Sequence, residues 1–249
     1  MNKNRVSIFA HRGANREAAE NTLAAFDKAC AYAIDGIETD VQLTRDEVAV
    51  LWHDRFLDKL GLPGRYIDDY DLSQLQAMNV AAHFGPGIVA ESIVCLRDFI
   101  GRYRDRCRLL IEIKNRDWEP VQRHRIKLQQ TLSLLGSVSD DRVMVSSFDF
   151  ASLVYADQLQ ANVPLVYNLE NDQTLADIRN ILRRHDFLYG LCLPVEILDQ
   201  ALVDVARNHG KRIAVYTCNS IEAINKALSL RVDILISDVP QLALRLRDA

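Results

Sequence analysis

Short apolar runs alternate along the chain with longer runs in which apolar residues recur every three or four positions. The short runs predict strands at Val6–His11, Gly36–Leu43, Leu109–Lys114, Val143–Phe148, Leu165–Leu169, Tyr189–Leu193, Ile213–Cys218 and Ile234–Asp238. Each is compact and apolar, as a parallel strand covered on its outer face should be. The longer runs predict helices at Thr22–Tyr32, Val121–Leu135, Leu175–Arg184, Leu198–His209 and Ile221–Leu230. In the fourth of these, Leu198, Ala201, Leu202, Val205 and Ala206 form one stripe. Gly210 follows it in the place of a terminating glycine, and Asn219-Ser220 opens the next helix as a cap.

Eight such strands in about 250 residues predict an α/β fold, a (β/α)8 TIM barrel. A doubly wound open sheet would carry a glycine-rich loop after its first strand, and Gly13 alone does not make one. The alternation breaks once, at Glu47–Ser92. A short extra strand, Val48–Trp52, follows Thr44-Arg45-Asp46-Glu47, and a stretch rich in Gly, Pro and Asp comes after it. The expectation is a single barrel over 1–249, with a small rim insertion after the second strand at about 55–92.

Composition narrows the function classes. The 249 residues are 49% hydrophobic and carry 30 basic and 34 acidic side chains, a net charge of −4. A chain of this size buries roughly 70–75% of its unfolded surface and needs no disulfide or metal staple. A mildly acidic balance without a basic run offers nothing to nucleic acid or anionic membranes. No apolar stretch is long enough to span a bilayer, and Met1-Asn2-Lys3-Asn4-Arg5 opens no secretory leader. The five cysteines, Cys30, Cys95, Cys107, Cys192 and Cys218, are scattered and form no C-x-x-C, so they read as reduced thiols, mostly in a core. A cytoplasmic location without stable membrane association is expected.

In such a barrel, chemistry collects where strands end. The first strand ends His11-Arg12-Gly13, the second carries Glu38-Thr39-Asp40, the added strand ends His53-Asp54, and the third ends Glu112-Ile113-Lys114. The seventh and eighth end Thr217-Cys218-Asn219 and Ser237-Asp238. Residues two apart share a strand face, so Glu38 pairs with Asp40 and Glu112 with Lys114. Three carboxylates converging at the barrel mouth would repel one another, and a hard divalent cation relieves that conflict. All-oxygen ligation suits Mg²⁺ or Ca²⁺ rather than zinc. Three carboxylates, Arg12, Lys114 and one such cation sum to +1, which a phosphodiester monoanion would neutralise. Arg12 offers a planar fork for phosphate and Lys114 a point charge. His11 and His53, alone among the six histidines at predicted strand ends, could serve as general base and acid.

Singly, each feature has a plainer reading. A Glu-x-Asp is often a polar strand edge, Glu112 with Lys114 a local ion pair, and His11 a core histidine. Asn21-Thr22 reads as a helix cap rather than a ligand. His83, His124, His185 and His209 read as solvated or structural, and Cys218 as barrel packing. The joint pattern, all at the same end of different strands, is what points to a site.

His11-Arg12-Gly13, Glu20-Asn21-Thr22, Gly36-Ile37-Glu38-Thr39-Asp40-Val41, His53-Asp54, Glu112-Ile113-Lys114, Ser147-Phe148 and the closing Val232–Pro240 segment together resemble the glycerophosphodiester phosphodiesterases. The resemblance runs from residue 6 to the C-terminus. It implies a metal-dependent enzyme that hydrolyses glycerophosphodiesters, its small-molecule substrates, to glycerol 3-phosphate and an alcohol. It implies Glu38, Asp40 and Glu112 as metal ligands, His11 and His53 as the catalytic pair, and Arg12 and Lys114 on the phosphate. The chain departs from the family at Val94-Cys95-Leu96-Arg97-Asp98, where Pro-Thr-Leu-Glu-Glu is usual, and at Lys59-Leu60-Gly61 instead of Arg-Thr-Thr. Tyr216 stands where tryptophan is common. The first two departures are expected at the outer rim, beside the alcohol half of the substrate.

The reading taken is displacement by the glycerol 2-hydroxyl, with His11 as base and His53 as acid; direct attack by a metal-bound water fits the same residues. The alternatives are a lysophospholipase D or sphingomyelinase D-like phosphodiesterase, and an inactive barrel that binds a phosphorylated metabolite. An exposed apolar loop would favour the former, and a missing histidine or carboxylate the latter.

Overall fold

The computed structural model describes residues 5–85, 87–137 and 140–249. The N-terminal Met1–Asn4, read above for a leader, and Pro86 of the insertion lie outside the described residues. Eight parallel strands close into a ring: β1 (Ser7–His11), β2 (Gly36–Leu43), β4 (Arg108–Ile113), β5 (Val143–Ser147), β6 (Leu165–Asn168), β7 (Gly190–Pro194), β8 (Arg212–Tyr216) and β9 (Ile234–Ser237). The ring shuts because β1 pairs with both β2 and β9. β3 (Ala49–Leu51) stands outside the ring and extends the far end of β2 antiparallel, through Val41↔Leu51 and Leu43↔Ala49. The helices are α1 (Leu23–Ala31), α2 (Leu72–Gln76), α3 (Leu96–Tyr103), α4 (Val121–Leu135), α5 (Phe150–Gln158), α6 (Leu175–Arg184), α7 (Gln200–Asn208), α8 (Ile221–Ser229) and α9 (Pro240–Asp248). The expected TIM barrel is present.

The two-residue period of each strand splits the core into two layers. Ile8, Ile37, Leu109, Ile111, Val145 and their neighbours pack outward under the helices. Phe9, Leu110, Met144, Val166, Cys192, Ala214, Ile234 and Ile236 fill the barrel interior. One inward position further along, these strands carry His11, Glu112, Ser146, Asn168 and Tyr216. An apolar plug therefore floors a polar mouth. Gly36 faces Phe9 across the β1–β2 ladder, and a Cβ there would lie 2.4–2.6 Å from the Phe9 ring. Only glycine lets that ring fill the floor.

The insertion is a run of short helical turns, Asp58–Leu60, Ile67–Asp69 and Ala82–Phe84, with α2 among them. Val50, Trp52, Leu57, Ile67, Leu75, Val80 and Ile93 give it an apolar cluster of its own. Several helix ends differ from the periodicity. Thr22 and Asp199 are caps, not helical residues, accepting from Ala25 N and Leu202 N, so α1 and α7 begin one residue beyond each. Ser220 alone caps α8. Gly210 does take the left-handed φ of +68° expected of it. The cysteines are less buried than expected: Cys192 and Cys218 are in the core, while Cys30, Cys95 and Cys107 are half-buried.

Candidate active site

Register assembles the site. His11 is level with Glu38 on the β1–β2 ladder, Asp40 with Glu112 on β2–β4, and Glu112 with Ser146 on β4–β5. Neighbouring inward positions in register point the same way, so the three carboxylates meet beside His11. Oxygens of Glu38, Asp40 and Glu112 lie within 4.8 Å of one another, and the residues are only 5%, 1% and 8% exposed. Lys114 Nζ lies 2.9 Å from Glu112 and 3.4 Å from Asp40, and Arg12 Nε lies 3.2 Å from Asp40. Lys127, fully buried in α4, donates to the Lys114 carbonyl and pairs with Glu119 at 2.9 Å, bracing that strand end from below.

The two cations do not balance the trio. Burial, then Asp40 and Glu112, push the Glu38 carboxyl well above the usual carboxylate range. Burial works the same way on Asp40, but Arg12 and Lys114 overcome it and hold that carboxyl low. Glu38 Oε2 is buried without a hydrogen-bond donor among the described residues, 3.9 Å from His11 Nε2. Oxygens on opposite sides of a hard cation bound at 2.3–2.6 Å are about 5 Å apart, so the trio fits such an ion in spacing, charge and donor type.

Each histidine is oriented by a carboxylate. His11 Nδ1 lies 2.6 Å from Asp238 Oδ1, and His53 Nδ1 lies 2.9 Å from Asp54 Oδ1. Asp238 also accepts from Asn15 and Asn219, both at 2.7 Å. Despite the cost of burial, His11 and these amides keep its carboxyl well below the ordinary range. His53 and Lys59 do the same for Asp54. Both carboxylates accept, so Nδ1 of each ring carries a hydrogen and Nε2 is the nitrogen left to take or give a proton. The histidines, Arg12, Glu38, Glu112 and Lys114 line one cavity of about 190 Å³, walled by Phe148 and Tyr216.

Residues 11–242 match the sequence model of the glycerophosphoryl diester phosphodiesterase family. The chain belongs to this family. A glycerophosphodiester phosphodiesterase of Bacillus subtilis (strain 168) is 27% identical over 253 residues, 97% of this chain and 86% of that one. Another, from Caldanaerobacter subterraneus, is 26% identical over 246 residues, 96% of each chain. In fold, the chain is similar to an Oleispira antarctica phosphodiesterase solved in complex with the product sn-glycerol-3-phosphate, with a TM-score of 0.87 at 24% identity over 98% of both chains.

The chain's departures from the family pattern do not all sit where expected. Lys59 is not at the outer rim: its ammonium bridges Glu20 and Asp54, each at 2.8 Å, directly behind His53. Glu20 in turn holds Arg12 at 3.0 Å. Among Glu20, His53 and Asp54, otherwise a second metal-like cluster, Lys59 already supplies the positive charge. Val94 and Cys95 are not at the rim either; they bond β3, through Leu51 N to Val94 O at 2.9 Å and a Val50–Cys95 bridge. Tyr216 does face the cavity, its hydroxyl donating to Leu169 O at 2.6 Å. Asn21 is not a cap. It takes φ +56°, donates to Asp40 Oδ2 at 3.1 Å and accepts from Thr39 Oγ1 at 2.7 Å, fixing a carboxylate of the trio. Gln42, overlooked in the sequence, donates to the carbonyls of Trp52, His53 and Asp54 and so sets the His53 loop. Of the other histidines, His124 donates from Nε2 to Arg116 O and His209 from Nδ1 to Val205 O, while His185 packs on Phe150.

Proposed function

We propose that the protein hydrolyses glycerophosphodiesters to glycerol 3-phosphate and an alcohol. The observation that carries this reading is two carboxylate-backed histidines on one cavity with a buried, under-neutralised carboxylate trio. Family membership supports it, as does the glycerol 3-phosphate in the Oleispira antarctica relative. Glu38, Asp40 and Glu112 would hold one divalent cation, Mg²⁺ or Ca²⁺, which when bound polarises phosphoryl oxygen as a Lewis acid. Arg12 and Lys114 engage the phosphate while remaining paired to the carboxylates. His11, protonated at Nδ1 by its bond to Asp238, takes the proton of the attacking glycerol 2-hydroxyl at Nε2. Asp238 stabilises the resulting imidazolium. His53 enters as the imidazolium, its Nδ1–H held by Asp54, and gives its Nε2 proton to the departing alcohol; the cyclic phosphate so formed is opened by water, with His53 now the base and protonated His11 the acid.

The test is release of glycerol 3-phosphate from glycerophosphocholine, glycerophosphoethanolamine and glycerophosphoglycerol, with and without chelator. Turnover should vanish on cation removal and return on adding Mg²⁺ or Ca²⁺. His11→Ala and His53→Ala should each lower kcat by about 10²–10⁴-fold with the fold intact. Full activity after demonstrated cation removal, or wild-type kcat in either variant, would sink the assignment concerned. A 2-deoxy diester cleaved as fast as its parent would instead make water the attacker.

A further inference from the structure

Asn168 closes β6 at an inward position and is 4% exposed. Its Oδ1 is buried and accepts no hydrogen bond among the described residues. The side chain lines the 190 Å³ cavity with His11, Arg12 and Lys114. In the ring β6 lies four strands from β1 in either direction, so Asn168 faces the His11 end across the barrel mouth. A buried amide oxygen without a donor costs stability and recurs in folded proteins where a ligand supplies the partner.

The chemistry of that ligand group follows from the amide. It is uncharged, and its orphaned Oδ1 needs a hydrogen-bond donor, which an alcohol hydroxyl supplies and an ionised phosphodiester does not. The 190 Å³ space suits a three-carbon polyol with its phosphate, and Asn168, His53, Glu112 and Lys114 also border an adjoining cleft of about 1280 Å³ that leaves room for the alcohol half. With the phosphate held by Arg12 and Lys114 on the β1 and β4 side, the 2-hydroxyl stays beside it. A glycerol moiety that continues across the mouth from there would bring its terminal hydroxyl to β6 and Asn168.

We propose that Asn168 reads the terminal hydroxyl of the glycerol moiety and thereby selects glycerol over a deoxygenated three-carbon alcohol. This inference rests on the glycerophosphodiester reading. The test compares glycerophosphocholine with the same diester of propane-1,2-diol, in which hydrogen replaces the terminal hydroxyl, for the wild-type protein and Asn168→Ala. The wild type should favour the glycerol compound by about tenfold or more in kcat/KM, the order expected for one buried hydrogen bond. In Asn168→Ala that preference should fall to near unity, through loss on the glycerol compound alone. Inhibition by glycerol 3-phosphate should weaken by a similar factor, and inhibition by propanediol phosphate should not. Because the side chain bonds nothing among the described residues, the melting temperature of the variant should not drop. An unchanged preference in Asn168→Ala, or equal loss on both diesters, would overturn the assignment. A wild type inert on both diesters would overturn the underlying reading with it.

Discussion

Asp238→Asn should separate the orientation of His11 from the rest of the chemistry. The carboxylate is surrounded by donors: Oδ1 accepts from His11 Nδ1 and Asn15 Nδ2, and Oδ2 from Asn219 Nδ2 and Arg16. An amide cannot serve all four. Turned one way, its NH2 faces Asn15 and His11, and the imidazole keeps a bond only by moving its proton to Nε2, the wrong place for a base. Turned the other way, the NH2 confronts Asn219 and Arg16. A hydrogen bond to a charged group contributes about 1.5–3 kcal/mol, which at 1.36 kcal/mol per decade is roughly 10–150-fold in rate. The inverted tautomer adds to that, so kcat should fall by about 10²–10³-fold while KM changes little. The assay is glycerol 3-phosphate release at saturating divalent cation, with thermal melts alongside. Since the folded pKa of Asp238 is depressed, burial opposing but His11 and the amides prevailing, its stabilisation is present above the unfolded carboxylate range and is lost as pH falls through the folded value. The variant should therefore melt below wild type at neutral pH and approach it in acid. A folded Asp238→Asn protein within about twofold of wild-type kcat would refute the reasoning.

Glu38→Gln should raise the melting temperature of the chelator-treated protein, because burial and two neighbouring carboxylates push that carboxyl up and its ionised form costs stability as pH rises through the folded value; the advantage should grow from acid to neutral pH in melts with EDTA, and its absence would show the trio is not under-neutralised. Asn21→Ala frees Asp40 on one side and should weaken cation affinity by about 10–100-fold, measured by calorimetric titration, with tight binding refuting a positioning role. Gly36→Ala would drive a methyl into the Phe9 ring and should destabilise by at least about 1–3 kcal/mol in denaturant unfolding.

Much of this was legible in the primary sequence, for local reasons. The period of two put Glu38 with Asp40 and Glu112 with Lys114 on common faces, and the alternation of apolar runs with helical stripes sufficed for a closed barrel. The extra strand was visible because Val48–Trp52 is a short apolar run that no helical pattern follows. Local pattern failed where two polar neighbours compete for one job: Asn21 and Thr22 both suit a cap, and only the arrival of β2 beside them, with Thr39 and Asp40 as partners, takes Asn21 and leaves Thr22 to the helix. Lys59 looked like a rim residue because nothing near it in sequence shows that Glu20 and Asp54 lie on either side. The partnership of Asp238 with His11, 227 residues apart, exists only because β1 pairs with β9 when the ring closes. The level of Asp40 with Glu112, and the empty valence of Asn168 across the mouth, likewise depend on strand register and ring order. Side-chain periodicity is a property of a single strand and can be read from its residues. Register, closure and the charge balance of a buried cluster are set between strands, by contacts that only the folded chain makes.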